Sequence, residues 1–223
     1  MNAQKPPGNV KVTREDWLDL AMDVLVSDGV DRIKVQNLAA RLMVSRSSFY
    51  WYFGSRRQLL ETLLDRWKAK NTAGLVAQAE MPARSITHAV CNVQRCVVNS
   101  DLFNTELDFA VRDWARRSAE VRELVDQSDA VRLSALAAMF VRFGFDPTEG
   151  KARARVLYFM QLGYDFAQLG EVPEARLAMV PHYLQVFTGC TPAAEDVAEF
   201  TAYANSFWNP MTQEAKCPTR QTP

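Results

Sequence analysis

The stretch Gln36-Asn-Leu-Ala-Ala-Arg-Leu-Met-Val-Ser-Arg-Ser-Ser-Phe-Tyr-Trp-Tyr-Phe53, followed by Gly-Ser-Arg-Arg57, holds two short helical patterns that meet at a tight turn. Two helices crossing at such a turn need small or apolar residues where they touch. Ala39 lets the backbones approach, and Leu38, Leu42, Val44 and Phe49 fill the wedge against a preceding helix. Ser45 is placed to cap the second of the pair through its hydroxyl. Arg46, Ser47, Tyr50 and Trp51 then fall on the opposite face, a set of charge, hydroxyl and aromatic groups that cannot all be buried. This is the pattern of a helix-turn-helix whose second helix lies in a DNA groove, with Arg46 and Ser47 in the first turn, where base edges are reached. Arginine can pair bidentately with guanine O6 and N7. Ser48 and Tyr50 can donate to phosphate oxygens, which position a protein without reading sequence. Arg56 and Arg57 open the next helix at the height of the backbone. The competing reading is a helical hairpin that offers its aromatic face to another protein. The joint occurrence of a hydroxyl-rich first turn, an aromatic run and trailing arginines favours DNA.

The chain of 223 residues has room for one large domain or two small ones. At 48% hydrophobic and 23% charged, its composition is that of an ordinary globular protein. Basic and acidic residues balance at 26 each, but unevenly along the chain. Residues 1–70 carry 12 basic and 8 acidic side chains, and the remainder 14 and 18, so the positive end carries the motif, as phosphate binding requires. The N-terminal residues have no apolar signal-peptide core. No stretch reaches the ~18–20 apolar residues of a membrane span. Cys91, Cys96, Cys190 and Cys217 form neither a CxxC pair nor a Cys/His metal spacing, which suits reduced thiols in a cytoplasmic chain with no metal and no membrane.

Periodicity outside the motif is helical almost throughout. Thr13 begins a helix with Asp16 three residues on, a capping-box start. Trp17, Leu20, Ala21, Val24 and Leu25 line one face of it, and Gly29 ends it. Further helices are predicted over 35–42, 45–53 and 57–79, then near 84–99, 103–116, 119–143, 150–169, 174–188 and 193–207, with proline and glycine between them. Pro181 should kink or split the helix it falls in. The expected fold is all-α: an N-terminal helix-turn-helix domain over 1–58, ordered from about 12, a C-terminal helical domain over 59–208, and a tail over 209–223.

The run Leu42-Met-Val-Ser-Arg-Ser-Ser-Phe-Tyr-Trp-Tyr-Phe-Gly-Ser-Arg-Arg-Gln-Leu-Leu60 resembles the signature of the TetR/AcrR family of transcriptional regulators, and the resemblance extends over about 13–64. It implies a three-helix DNA-binding domain followed by a helical domain that binds a ligand and dimerises. By that resemblance Gln36, Arg46, Ser47 and Trp51 fall where family members touch bases or the groove wall. Lys34, Ser48, Tyr50 and Arg56 fall where they touch phosphates. Two departures stand out. Met43 occupies the turn position that usually carries glycine, which implies a less comfortable backbone there. Lys34 and Val35 occupy the corner that usually holds a threonine cap, and a lysine cannot cap.

In the C-terminal half, Ala152–Leu169 is apolar nearly all round, so this helix is buried on more than one side. With the 174–188 helix it suggests a four-helix bundle built from two chains, with Val156, Met160, Gly163, Tyr183 and Phe187 at the interface. A two-fold dimer places two recognition helices roughly 34–36 Å apart and predicts a pseudo-palindromic operator. Candidates to line an effector cavity are Cys91, Arg95, Phe103, Phe109, Arg112, Trp114, Phe159 and Tyr164, although Arg112 suits an acidic neighbour better than an anionic ligand. Cys91 and Cys96, five apart, lie on different sides of a helix and make a poor redox pair. No Ser-His-Asp, paired-carboxylate, phosphate-loop or dinucleotide motif accompanies the two histidines, so the chain reads as a regulator without catalysis or cofactor. The alternatives are a DNA-binding protein without small-molecule control and a small helical enzyme. In the favoured reading the 57–79 helix is the lever between effector and DNA.

Overall fold

The computed structural model describes residues 12–167 and 169–208. The expected tail and Cys217 lie outside the described residues, among which there is no strand. The chain divides into two compact units between Arg66 and Trp67.

The first unit begins with α1 (Arg14–Asp28). Its capping box is complete: the Thr13 hydroxyl accepts from the Asp16 amide while the Asp16 carboxylate accepts from the Thr13 amide. Trp17, Leu18, Ala21, Val24 and Leu25 are its buried face, and Gly29 at φ 80° ends it. A single 3-10 turn (Val30–Arg32) leads to α2 (Val35–Arg41) and α3 (Arg46–Phe49). The helix expected over 45–53 is therefore shorter. After Phe49 the chain tightens into a turn in which the amides of both Tyr52 and Phe53 donate to the Phe49 carbonyl. Phe49 and Phe53, one helical turn apart, remain stacked in the core at 5.3 Å through this turn. α4 (Arg56–Trp67) runs beside α1, with Arg66 paired to Glu15 and Asp19 and Arg14 donating to Thr62. These ties carry the first unit past the boundary at 58 that the sequence pattern suggests.

The second unit starts with a π-helical turn (Lys68–Thr72), followed by α5 (Ala73–Glu80) and α6 (Ile86–Val98). Then come α7 (Thr105–Ala115), α8 (Ala119–Arg142), α9 (Pro147–Ala167), α10 (Pro173–Thr188) and α11 (Ala194–Trp208). Within it α8 packs along α9, α6 lies between α5 and α11, and α10 joins α6, α9 and α11. The apolar core is built on Val90, Leu136, Met139, Phe140, Leu157 and Phe200. Gly74 permits a close approach here, because a Cβ would land on the Leu102 carbonyl oxygen. α10 is not split: it continues through Pro181 to a left-handed Gly189. Proline removes one helical hydrogen bond, and tertiary packing tolerates that loss.

Two polar clusters interrupt this core. In one, Asp108 (2% exposed) accepts from Trp67 Nε1 at 2.8 Å, Arg112 Nε at 2.7 Å and Arg132 Nη1 at 3.0 Å. Burial pushes its carboxyl up, but the two guanidinium groups outweigh that and hold it below the ordinary carboxylate range. In the other, Asp196 of α11 accepts from Thr87 and Ser85 of the α6 start at 2.7 Å each, and from Arg84 Nε at 2.7 Å. Burial again opposes ionisation there, and these three donors outweigh it and lower the pKa. The stabilisation is therefore complete above the unfolded value of ~4 and is lost as pH falls through the lowered folded value. Asp196→Ala should strand buried hydroxyls and cost about 2–3 kcal/mol in urea unfolding of the full chain, with the variant's deficit shrinking in acid. A deficit below ~0.5 kcal/mol, or one independent of pH, would refute this account.

Candidate nucleic-acid interface and ligand cavity

α2 and α3 meet through Leu38, Ala39 and Phe49, all buried, with Leu42 and Val44 half-buried at the turn. Only Phe49 of α3 faces the core. The rest of the motif is left at the surface. Lys34, Gln36, Arg46 and Ser47 are exposed, Tyr50 is 55% exposed and Trp51 77%. These six of the eight residues assigned to DNA are available to a partner. Trp51 lies in the turn after α3 rather than on the helix itself. Lys34 precedes α2 in an extended conformation and makes no side-chain cap.

The other two are placed differently. Ser48 is half-buried, with its hydroxyl oxygen enclosed. Arg56 turns back on its own unit, donating from Nε to the Ile33 carbonyl and from Nη2 to the Val30 carbonyl at 2.8 Å. It thereby braces the 3-10 turn that presents Lys34 and the start of α2. No local pattern announces this contact, because the carbonyls lie 23 and 26 residues upstream. Ser45 occupies the position before α3 without capping it, and its hydroxyl instead meets that of Ser47 at 2.7 Å. Met43 has φ 55°, the left-handed conformation expected where glycine is missing, and no other non-glycine residue among those described has a positive φ.

In the second unit, two half-open cavities, about 480 and 570 Å³ with the solvent at their mouths included, meet at Gln94, Val97 and Gln161. The first is lined by Leu75, Cys96, Phe103, Leu136, Tyr158 and Asp165. The second is lined by Met160, Tyr164, Arg176, Tyr183, Phe187 and Trp208. Of the sequence candidates for an effector site, Phe103 faces the first cavity and Tyr164 the second. The other six line neither. Cys91 sits against the backbone of Asp196, and Arg95 pairs with Glu199 at 3.0 Å and covers the Tyr203 ring. Phe109 packs on Phe166, Arg112 is held by Asp108 and Asp129, Trp114 is half-buried, and Phe159 is 43% exposed under Arg155. Of the residues assigned to a dimer interface, Val156 and Gly163 are exposed, whereas Met160, Tyr183 and Phe187 line the second cavity. Burial pushes the Cys91 and Cys96 thiols up to about 12, which keeps both protonated at neutral pH. The cavity's polar residues Gln94, Gln161, Asp165 and Arg176 escaped the sequence reading, since spacing alone does not tell which face of α9 meets α6 and α10.

The family described as "Bacterial regulatory proteins, tetR family" matches residues 18–63, which cover the elements just described from α1 into α4. Over residues 18–63 the chain is similar to the DNA-binding domain of the tetR family. It is 33% identical to the tetracycline repressor protein class A of Escherichia coli over 102 residues, which is 46% of this chain and 43% of that protein. It is 31% identical to the HTH-type transcriptional regulator TtgW of Pseudomonas putida over 62 residues, or 28% of this chain and 46% of that one. The chain thus spans under half the length of these curated relatives. Solved structures extend the likeness in fold. A transcriptional regulator from Rhodococcus aligns over 81% of this chain and 96% of its own with a TM-score of 0.57 at 18% identity. Mycobacterium smegmatis AmtR aligns over 91% and 97% with a TM-score of 0.55 at 17% identity.

In this tetR-type turn, Met43 is 90% exposed and makes up for its strained backbone with no packing. Met43→Gly should therefore stabilise the first unit by about 0.5–1 kcal/mol, read as a higher melting temperature. A lower melting temperature would show that the methionine side chain carries a contact of its own.

Proposed function

We propose that this chain is a ligand-responsive, sequence-specific DNA-binding transcriptional regulator, a repressor that acts in the cytoplasm as a homodimer on a pseudo-palindromic operator. The observation that carries this reading is the exposure of Gln36, Arg46, Ser47, Tyr50 and Trp51 together on a helix-turn-helix whose other side is core. Large aromatic groups left in water beside Arg46 and Lys34 suit a polyanion with a grooved surface. Arg46 and Gln36 are the base readers in this proposal, with Ser47 and Trp51 at the groove wall. Lys34 and Tyr50 meet phosphate. Ser48, whose hydroxyl is enclosed, and Arg56, which is bonded to two carbonyls, are also assigned to phosphate by the family resemblance; both would have to move to reach it, so Arg56 counts chiefly as a positioning residue.

The homodimer is supported by an apolar stripe that stays largely exposed among the described residues. Val156, Phe159, Gly163 and Phe166 recur along α9, and Val172, Met179 and Val186 recur near and along α10, with exposures of 42–74% for the apolar side chains. Among the described residues a Cβ on Gly163 would meet nothing within 4 Å, which leaves room for a second copy to approach. The double cavity is the proposed effector site, and α4 with the π-turn after it is the element through which occupancy reaches the DNA-binding unit.

The experiment is selection of operator sequences from the host's genomic DNA, followed by gel shift. Arg46→Ala should flatten base preference at its position by roughly 1–3 kcal/mol. Lys34→Ala should weaken all sequences alike and lower the salt slope by about one. Unchanged binding by both variants would sink the assignment. Val156→Asp should shift the chain from dimer to monomer in sedimentation and weaken operator binding with it. A dimer that survives this charge, and survives Phe166→Asp as well, would remove the α9–α10 interface.

A further inference from the structure

We infer that the double cavity takes an amphipathic monocarboxylate, its apolar or aromatic body in the two lobes and its carboxylate on the free edge of Arg176. This rests on reading the cavity as the effector site and adds the chemistry of what enters it. The Arg176 guanidinium lies over the Tyr164 ring at 4.8 Å and over the Trp208 ring at 5.4 Å. Stacking on ring faces fixes a guanidinium plane and leaves its N–H edge to recognise a planar anion. Among the described residues no carboxylate lies within ion-pairing distance of it, and it is the one cation that lines either lobe. The surrounding wall is Met160, Val180, Leu184, Phe187 and Phe200, which suits a hydrocarbon or aryl body and excludes a polyanion or a sugar.

Asp165 completes the site. It lines the first lobe, accepts from Gln161 Nε2 at 2.8 Å, and feels the charges of Arg176 on α10 and Asp108 on α7. From α5, α6 and α8 the same lobe receives Leu75, Gln94 and Leu136, none of them charged. Burial is the largest influence on Asp165 and pushes its carboxyl up to about 6, with Asp108 adding to the rise and Gln161 and Arg176 opposing it. The Asp165 carboxylate is the natural competitor of a ligand carboxylate for the field of Arg176. A bound monoanion therefore favours protonated Asp165, and binding takes up a proton. An ammonium ligand would do the opposite: it would face Arg176 and depend on a carboxylate that is itself half neutral near pH 6.

The test is calorimetric titration of the full chain with decanoate, methyl decanoate and decylammonium at pH 5.5 and 7.5. Decanoate should bind at least tenfold more tightly than its ester. Its affinity should fall by roughly ten- to twentyfold from pH 5.5 to 7.5 as Asp165 ionises. Asp165→Asn should abolish that pH dependence. Arg176→Gln should lose at least tenfold for decanoate and leave methyl decanoate unchanged, which also shows that the variant is folded. The acid–ester comparison on the unaltered chain reads the same contact without any substitution. Equal binding of acid and ester, or tighter binding of decylammonium, overturns the proposal. Gel shift separates it from the regulator reading. Decanoate that binds as described without altering DNA affinity supports the ligand class and removes effector control. DNA release by decylammonium and not by decanoate supports effector control and overturns the ligand class.

Discussion

The buried Asp108 carboxylate is the interaction on which the second unit depends. It gathers Trp67 and Asn71 from the start of the unit, Arg112 from its own helix, and Arg132 from a core position of α8 that is 0% exposed. Two carboxylates, Asp108 and Asp129, face two guanidinium groups, so the cluster is neutral as a whole. It is stable only because nearly every lone pair and N–H has a partner, since a single charge left alone in that interior would cost several kcal/mol. The π-turn follows from it. One extra residue in the turn brings both Asn71 and Thr72 inward, where Asn71 donates to Asp108 and the Asn104 carbonyl and Thr72 accepts from Arg132. A regular α-helix would rotate one of them out of reach, and π-turns are found where such a functional demand overrides helix geometry.

This cluster is continuous with the cavity wall. Tyr158 lines the first lobe with its ring, and its hydroxyl donates to Asp129 while accepting from Arg112 and Arg132. Phe103, on the same wall, lies under the Arg132 guanidinium at 5.1 Å. A molecule that shifts either ring disturbs Arg132, and Arg132 holds Thr72 of the π-turn that directly follows α4 in the chain. One charge-assisted hydrogen bond contributes about 1.5–3 kcal/mol. That is the size of a typical coupling between two sites, about 1–3 kcal/mol. In the proposed function, one strained or released contact in this chain of contacts matches such a coupling in size, without a rearrangement of the apolar core.

The helices of this chain were legible because their signals are local. Thr13 with Asp16, Gly29, and the proline and glycine between later elements place most ends within a residue or two, and the motif itself marks the helix-turn-helix. What escaped was set by partners distant in sequence. Arg132 stands in an ordinary helical stretch and is fully buried because Asp108, Thr72 and Tyr158 converge on it. Arg56 looked like a surface cation until its two carbonyl partners were in place. Met160, Tyr183 and Phe187 share the apolar character of Val156 and Gly163, and only the packing of α10 against α6 and α9 turns them toward a cavity. Periodicity identifies a face and says nothing about what that face meets.

The distribution of exposure argues for the same functional division from a different side. Burying a large apolar side chain stabilises a protein by roughly 1.5–3 kcal/mol. This chain forgoes that gain for Tyr50 and Trp51 in one place and for Val156, Phe166 and Val186 in another, while it buries Asp108, Arg132 and Asp196. The two exposed sets differ in their company. Tyr50 and Trp51 stand among Arg46, Ser47 and Lys34, so whatever covers them must also satisfy charge and hydroxyl groups, as a phosphate-lined groove does. The α9–α10 stripe has Gly163 in its midst and is dominated by aliphatic and aromatic side chains, so its complement is another apolar helix face that approaches closely. In the proposed function the first surface meets a polar polymer and the second a copy of the chain. A symmetric reader of DNA needs both, because only the second fixes the distance between two copies of the first.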